Sequence, residues 1–225
     1  GRLDPVGSLA GAAPGFFPAL RPLLSQPAFV LTVAATSFGA VVNGAMAAWT
    51  PAFFGRVYHL NLKELGLAYG VVKGLTGIAG VLAGGWIAGR SGVGAPPRQL
   101  ALCAAATLIA APFFLAFAFA PGVAAGLVAL GLFQLFTTMP LGVSYAVVQE
   151  LAPPSTRALA AAVLALSSTL IGIGGGPLFI GVLTDALHAA HGAAAVKYAL
   201  VWLVPFMLLG AGVYAAAARA AARRR

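Results

Sequence analysis

The sequence predicts an all-α fold, a bundle of six helices that crosses a membrane. Its composition favours this class: 61% of the residues are hydrophobic and 8% are charged, whereas soluble domains carry roughly 25% charged residues. Two long stretches, 22–55 and 99–149, contain no charged residue. The ~10-residue segments of alternating polarity that mark membrane β-strands are absent, and a helix satisfies its own backbone hydrogen bonds in lipid.

Turn and charge signals divide the chain into six apolar segments, each near the roughly 20 residues that a helix needs to span a bilayer. The stretch 99–149 is too long for one helix and divides at Pro121, because Pro-Gly marks a turn and the residue before proline disfavours helix. The six predicted helices are residues 28–54, 65–89, 100–120, 123–148, 158–183 and 198–218.

Residues 28–218 are therefore predicted to form the transmembrane bundle. We interpret residues 1–27, which are rich in Pro, Gly and Ala, as a cytoplasmic linker, and residues 219–225 as a basic cytoplasmic tail. The sequence begins without an initiator methionine or a signal-peptide pattern, and we expect it to be a fragment of a longer chain. Its one cysteine, Cys103, cannot form an intramolecular disulfide.

Basic residues are distributed unequally between the two sides of the predicted bundle. When the sides alternate along the six helices, one side collects nine basic residues and the other three. Because cytoplasmic loops carry the excess of lysine and arginine, both termini are predicted to be cytoplasmic, in a cell (inner) membrane. The larger group is Arg2, Arg21, Arg90, Arg98, Arg157, Arg219, Arg223, Arg224 and Arg225, and the smaller is Arg56, Lys63 and Lys197.

The net charge of +9 comes from basic residues placed as a membrane topology predicts, and their placement does not indicate a nucleic-acid-binding surface. No nucleic-acid partner is therefore predicted. The terminal arginines 223–225 are typical of a tail that contacts anionic membrane lipids, which are the expected partners of the bundle.

Polar side chains form stripes on the first and fourth predicted helices. A spacing of seven residues is nearly two turns, so residues at that spacing share one face. Such a stripe is either the lining of a substrate pathway or a set of hydrogen bonds between helices, each worth about 0.6 kcal/mol in membranes. The first stripe is Thr36, Asn43 and Thr50; the second is Gln134, Thr138 and Tyr145, beside a row of Thr137 and Ser144.

Lys73 is the one charged residue well inside a predicted helix. It lies about 12 Å from the helix end, where a charge costs ~2.5–3.5 kcal/mol. Tyr69 and Thr76 share its face by their i−4 and i+3 spacing. Lys73 is interpreted either as a cation that meets an anionic substrate headgroup or as a lysine that extends its stem to the interface.

The fifth predicted helix carries a cluster of glycines followed by proline: Gly172, Gly174, Gly175, Gly176 and Pro177. Glycine and proline both weaken a helix. The cluster indicates either close packing between helices or a hinge that bends during function. As a hinge, it would place Gly174, Gly175, Gly176 and Pro177 among the gating residues. Pro112, Pro140 and Pro205 indicate further kinks.

Catalytic and metal chemistry is not predicted. His188, His191 and Asp185 lie together in a short loop, but their spacing is not that of a metal site, and we interpret them as solvated loop residues. No phosphate-binding loop, no nucleophile with a base and no catalytic pair of carboxylates is present. The chain is therefore predicted not to be an enzyme and to use no cofactor.

The predicted loops are short, and both ends of the chain are predicted on the same side of the membrane. These features are compatible with half of a transporter built from two inverted three-helix repeats. Four segments support this: Trp49–Phe54 with its Trp-x-Pro pattern, Gly84–Gly92, Gln149–Arg157, and Gly172–Pro177 followed by Gly181 and Asp185. Together they resemble the C-terminal half, helices seven to twelve, of a major facilitator superfamily carrier, most like the spinster-like branch. One departure is Gly89, where the family's inner-loop motif has an acid four residues after its first glycine.

The resemblance implies a 3+3 inverted repeat that makes up half of a twelve-helix fold, with a missing N-terminal six-helix half as its partner. It implies alternating access, a cavity lined by the first and fourth helices, and gating roles for Arg90 and Asp185. The cargo implied is a small molecule or lipid, namely an amphipathic anion such as a lysophospholipid or a sphingoid phosphate. A multidrug exporter and a non-transporting membrane anchor or subunit are the alternatives.

Overall fold

The computed structural model describes residues 16–90 and 94–223. It contains a π-helical segment, Ser168–Gly174, and short 3₁₀ turns at Pro154–Thr156 and Gly192–Ala194. Arg2, Arg224, Arg225 and most of the predicted linker 1–27 lie outside the described residues. The helices are α1 Phe16–Leu24, α2 Pro27–Tyr58, α3 Leu62–Arg90, α4 Pro96–Ala118, α5 Val123–Leu151, α6 Arg157–Ser167, α7 Gly175–His191, α8 Ala195–Val201 and α9 Leu203–Ala222.

Five segments of the described chain are long and apolar enough to cross a membrane: Pro27–Tyr58, Leu65–Arg90, Pro96–Ala118, Val123–Leu151 and Pro154–Ala222. The last is 69 residues long and contains the fifth and sixth predicted helices, which meet at the turn Gly192–Ala194. Gly192 has a φ of 52° there, and α7 packs against α8 beyond it. The prediction of an all-α, six-helix membrane fold is confirmed.

Several helix ends differ from the predicted ones. The first membrane helix continues through Pro51 to Tyr58, whose hydroxyl donates to the carbonyl of Ala120 over 2.7 Å. The sixth is interrupted at Trp202, between α8 and α9. Pro205 explains the break, because it has no N–H for the carbonyl of Val201 four residues earlier and its ring crowds that carbonyl. Pro112 and Pro140, by contrast, lie inside uninterrupted helices. The short α1 lies within the predicted linker.

Helix α2 lies at the centre of the bundle, in contact with α5, α7, α9 and the π-helical segment. Trp49 contacts Pro177 of α7, and Gly44 contacts Gly172, so α2 runs parallel to α7. Phe38 meets Phe206, near the pairing of Thr36 with Tyr214 of α9. Helices α2 and α9 are therefore antiparallel. Helix α4 packs on α5 and α9, and α3 packs on α5 at the edge of the bundle.

The two ends of the bundle differ in charge. The helix termini at one end carry six basic residues among the described ones, and we call it the basic end: Arg21, Arg90, Arg98, Arg157, Arg219 and Arg223. The opposite end carries Arg56, Lys63 and Lys197. A cluster of fully buried phenylalanines closes the bundle near that opposite end: Phe53, Phe54, Phe114, Phe117 and Phe133.

Candidate functional site

A cleft of about 680 Å³ lies between α2, α5 and the π-helical segment, and residues of α4 and α9 also reach it. Small-molecule sites have volumes of ~300–1,000 Å³, so the cleft has room for an organic ligand. Its walls are mostly apolar, and no charged side chain is among the described residues that line it. The polar residues in its wall are Thr36, Asn43, Thr107, Thr137, Thr138, Ser168, Thr169 and Tyr214.

Three buried hydroxyls meet at the end of the cleft that lies toward the basic end. The hydroxyl of Tyr214 is 3.0 Å from Oγ1 of Thr36 and 2.8 Å from Oγ of Ser144. Thr36 also donates to the carbonyl of Thr32 over 2.8 Å. The network joins α2, α5 and α9, so it holds three helices of the cleft together.

Asn43 lies nearly two turns further along α2 than Thr36 and also lines the cleft. Its side-chain amide Nδ2 donates to the carbonyl of Gly39 over 3.0 Å and reaches Oγ1 of Thr137 on α5 over 3.5 Å. Thr138, the next residue of α5, has its Oγ1 2.8 Å from the carbonyl of Gln134 and 3.3 Å from that of Gly77 on α3. Amide and hydroxyl groups thus bridge the helices on both sides of α5.

Lys73 is not part of the cleft wall, to which α3 contributes none of its described residues. Its ammonium donates to the hydroxyl of Tyr69 over 3.1 Å and lies 5.4 Å from the centre of that ring. Gly77, one turn later on the same face of α3, faces the side chain of Gln134, since a Cβ there would lie 3.8 Å from Nε2. Lys73 is therefore on the side of α3 that meets α5. Thr76 donates to the carbonyl of Val72 over 2.7 Å.

The predicted pathway residues fall into two groups. Thr36, Asn43 and Thr138 line the cleft. The others are not in the cleft wall: Thr50 is fully buried and donates to the carbonyl of Met46 in its own helix, and Gln134 is 7% exposed. Tyr145 packs against the apolar cluster at the basic end, which includes Leu23, Phe29 and Leu164. Lys73, Tyr69 and Thr76 belong to the interface between α3 and α5.

The glycines of the fifth membrane helix differ in what surrounds them. A Cβ on Gly172 would collide with Ala40, and one on Gly176 would collide with the carbonyl of Val41. These two glycines allow α2 and the fifth membrane helix to touch backbone to backbone. Gly174 and Gly175 are exposed, and a Cβ added to either would have no atom of another residue within 4 Å. They stand at the junction of the π-helical segment and α7, on a side of the helix that no other part of the described chain covers.

The proposed gating charges lie at opposite ends of the bundle. Arg90 stacks on Trp86, with its guanidinium carbon 3.3 Å from the ring centre. Asp185 is exposed in the last turns of α7, together with His188 and His191, so the prediction that these three residues form a short loop is wrong. His191 packs on Tyr198, with ring centres 4.2 Å apart. Within the described ranges, no three metal-ligating side chains lie close enough to hold an ion.

The sequence did not identify four polar residues that the fold brings to the cleft, namely Thr107, Ser168, Thr169 and Tyr214. Ser168 and Thr169 precede the glycine cluster, and their hydroxyls in an otherwise apolar helix were an available signal. Tyr214 is the single polar aromatic residue of α9. Its partners, Thr36 and Ser144, are distant in sequence, so no spacing rule could join them.

Comparison with known proteins identifies related families. Residues 3–177 match the family described as Major Facilitator Superfamily. A protein named MFS-type efflux pump from Mycolicibacterium smegmatis is 34% identical over 194 residues, which cover 85% of this chain and 45% of that protein. Protein spinster homolog 1 from Xenopus laevis is 29% identical over 217 residues (87% and 41%). The human protein of that name is 32% identical over 187 residues (75% and 35%).

A solved structure shares the fold. It is the crystal structure of a bacterial homologue of the human lysosomal transporter Spinster, in an inward-facing and unoccupied conformation. The TM-score is 0.85 at 22% sequence identity, over all of this chain and 54% of that one. The chain thus spans about half the length of the proteins that it resembles.

Proposed function

This chain belongs to the Major Facilitator Superfamily, and on that basis we propose that it forms one six-helix half of a secondary carrier that works by alternating access. In such carriers two halves rock about a site near the membrane midplane. The observation that carries the proposal is the cleft of about 680 Å³, whose wall is built by the first, fourth and fifth membrane helices. A membrane anchor needs no such cleft.

The second wall of the cleft is proposed to be an N-terminal six-helix half. Two rows of large apolar side chains support this partner, because they remain exposed on α3 and on the fifth membrane helix. Both rows would be covered by a second bundle or by lipid. One row is Leu67, Val71, Leu75, Ile78, Leu82 and Trp86 of α3; the other is Leu166, Leu170, Ile173, Leu178 and Val182 of the fifth membrane helix.

The proposed cargo is an amphipathic anion, such as a lysophospholipid or a sphingoid phosphate. The apolar walls of the cleft suit an acyl chain, and its hydroxyls suit the polar part of such a molecule. Lys73 is the proposed partner of the anionic group. Its ammonium lies on the side of α3 that meets α5, and Tyr69 is its only hydrogen-bond partner among the described residues. A cation in a low-dielectric site attracts an anion far more strongly than in water.

Export of varied small molecules is the second candidate. It is favoured by the relative named MFS-type efflux pump, at 34% identity, and by the uncharged wall of the cleft. A mostly apolar site with a few hydroxyls accepts many cargoes, since apolar contacts discriminate little between similar ligands.

The bundle is proposed to sit in a cell (inner) membrane with both termini in the cytoplasm. The described helix ends carry six basic residues at the basic end and three at the opposite one. Cytoplasmic loops carry the excess of lysine and arginine. The basic end is therefore the proposed cytoplasmic face, where it contacts anionic lipids.

Transport by reconstituted protein tests the proposal. The carrier, meaning this chain together with its second half, should give saturable uptake of a fluorescent lysophospholipid into liposomes, and this chain alone should give none. Ala47→Trp should stop uptake because Ala47 lines the cleft. The matched control is Ala105→Trp, on the exposed side of α4. Uptake by the isolated six-helix chain, or full uptake by the Ala47→Trp carrier, would contradict the proposed mechanism.

A further inference from the structure

We propose that Ser168 and Asn43 bind an uncharged hydroxyl or amide group of the cargo at the middle of the cleft. The inference rests on the proposed transport function and names the part of the cargo that this half recognises. The cargo's apolar body would lie along the alanines and Ile173 of the same walls.

The first observation concerns the side chain of Ser168. Its hydroxyl oxygen is buried, and it has no hydrogen-bond partner among the described residues. Two other hydroxyls of the cleft do have a partner: Thr36 and Thr107 each donate to the carbonyl four residues earlier in their own helix. Ser168 is the first residue of the π-helical segment, and such wide turns occur frequently at functional sites. A buried hydroxyl without a partner is destabilising unless a ligand supplies one.

Asn43 provides the complementary acceptor. Its amide nitrogen contacts Gly39 and Thr137, but its carbonyl oxygen Oδ1 accepts no hydrogen bond from the described part of the chain. Asn43 also lines the cleft. A hydroxyl or amide both donates and accepts, so one such group can satisfy Oδ1 of Asn43 and the hydroxyl of Ser168 together.

The two residues both line the cleft, about one helical turn apart along its length. A Cβ on Gly172 would meet Ala40, and one on Gly44 would meet the carbonyl of Gly172 at 2.6 Å. Gly172 therefore lies level with Asn43. Ser168 precedes Gly172 by four residues, so it lies about one helical turn, roughly 5 Å, toward the basic end.

The absence of charge from the cleft wall defines the class of group that binds there. Among the described residues that line the cleft, none is Asp, Glu, Lys, Arg or His. An ionised group placed in an apolar site without a counter-charge is strongly disfavoured. Any charged part of the cargo must therefore bind elsewhere, at Lys73 or in the second half, while the uncharged polar group binds here.

Equilibrium binding to the purified full carrier tests the proposal. The probes are radiolabelled 1-decanoylglycerol, which has two hydroxyls and no charge, and its dimethyl ether, which cannot donate a hydrogen bond. The carrier should bind the diol about threefold to tenfold more tightly, the range expected for one hydrogen bond. Asn43→Leu should remove that preference, and Ser168→Ala should raise the Kd of the diol by a similar factor.

Thr184→Val is the matched control, because Thr184 Oγ1 is also buried without a described partner but lies outside the cleft. It should leave both Kd values unchanged. If Ser168→Ala does not fold, Ser168→Cys keeps the volume and weakens the hydrogen bond. Equal affinity for diol and ether, no binding of the diol, or unchanged affinity in the Ser168 variants would overturn the proposal.

Uptake of lysophospholipid by the same preparations separates this inference from the proposed function. Saturable transport with binding that does not depend on hydroxyls keeps the carrier and overturns the Ser168–Asn43 site. Hydroxyl-dependent binding without any transport keeps the site and overturns the carrier. Decyl phosphate completes the set: if its binding depends on Ser168 more than that of the diol, the site recognises a charged group and the proposal fails.

Discussion

The indole nitrogen of Trp49 donates a hydrogen bond to the carbonyl oxygen of Pro177 over 2.9 Å. This bond joins α2 to the first turn of α7, directly after the π-helical segment. Gly181, one turn further along α7, leaves room for the indole, since a Cβ there would lie 3.3 Å from Cζ2 of Trp49. The pair therefore fixes one wall of the cleft against another.

Trp49→Phe should lower the melting temperature of the purified carrier. The change removes the hydrogen bond to Pro177, and interhelical bonds in membranes are worth about 0.6 kcal/mol on average, with a maximum near 1.7. Trp202→Phe is the control, because Trp202 is 55% exposed. Equal melting temperatures for Trp49→Phe and the unmodified carrier in thermal unfolding would show that the bond adds no stability.

Alanine substitutions should divide the glycines of the fifth membrane helix into two pairs. Gly172→Ala and Gly176→Ala should reduce the yield of folded carrier, because the added methyl groups collide with α2. Gly174→Ala and Gly175→Ala should keep or raise the melting temperature, because nothing lies near the added methyl and alanine favours helix over glycine by up to ~1 kcal/mol.

Transport rates then test the predicted hinge. If Gly174 and Gly175 bend during the cycle, their alanine variants should fold normally and transport more slowly. Size-exclusion chromatography and uptake kinetics at matched expression provide both measurements. Normal turnover in both variants would contradict the hinge and leave the cluster with a packing role alone.

Periodicity and composition predict most of this fold. The six apolar segments correspond to the observed membrane helices because hydrophobic length is set by the bilayer. The stripes also put Thr36, Asn43 and Thr138 on helix faces that turn out to line the cleft. Seven-residue spacing identifies a face, however, and does not say what covers it. Thr50 is an example: it lies on the same stripe as Thr36 and Asn43, but neighbouring residues cover it completely.

Contacts between distant segments could not be predicted in this way. The hydroxyl of Tyr214 meets Thr36 and Ser144 because three helices pack together, and a single sequence carries no record of that pairing. Spacing also does not show that Ser168 begins a π-helical segment or that its buried hydroxyl lacks a partner among the described residues. Gly172 and Gly174 likewise differ only in their surroundings. A Cβ on Gly172 would collide with α2, whereas one on Gly174 would meet nothing within 4 Å.

Lys73→Met should weaken transport of an anionic cargo more than transport of a neutral analogue. The ammonium lies on the inner face of α3 beside Tyr69, where it can attract an anionic group. Lys73→Arg should rescue poorly, because a planar guanidinium differs in shape and hydration from a compact ammonium. Uptake kinetics of both variants with both cargoes decide the matter. Equal losses for the two cargoes would leave Lys73 as an interfacial anchor.

Cysteine labelling should show that the basic end faces the cytoplasm. In a Cys103→Ala background, a cysteine at Ala222 should resist an impermeant thiol reagent added outside intact cells, and one at Asn61 should react. Both positions are exposed and lie at opposite ends of the bundle. The excess of basic residues around Ala222 motivates this orientation. The reverse labelling pattern would refute it.

Tyr214→Phe should destabilise the carrier, and a second change should restore part of the loss. Without the Tyr214 hydroxyl, Thr36 still donates to Thr32, but the fully buried hydroxyl of Ser144 loses its partner on α9. The expected loss is about 0.6–1.7 kcal/mol. Because an unsatisfied buried group costs more than an absent one, Tyr214→Phe with Ser144→Ala should be more stable than the sum of the two single changes predicts. Denaturant titrations of the four proteins measure this coupling, and strict additivity would show that the two hydroxyls do not depend on each other.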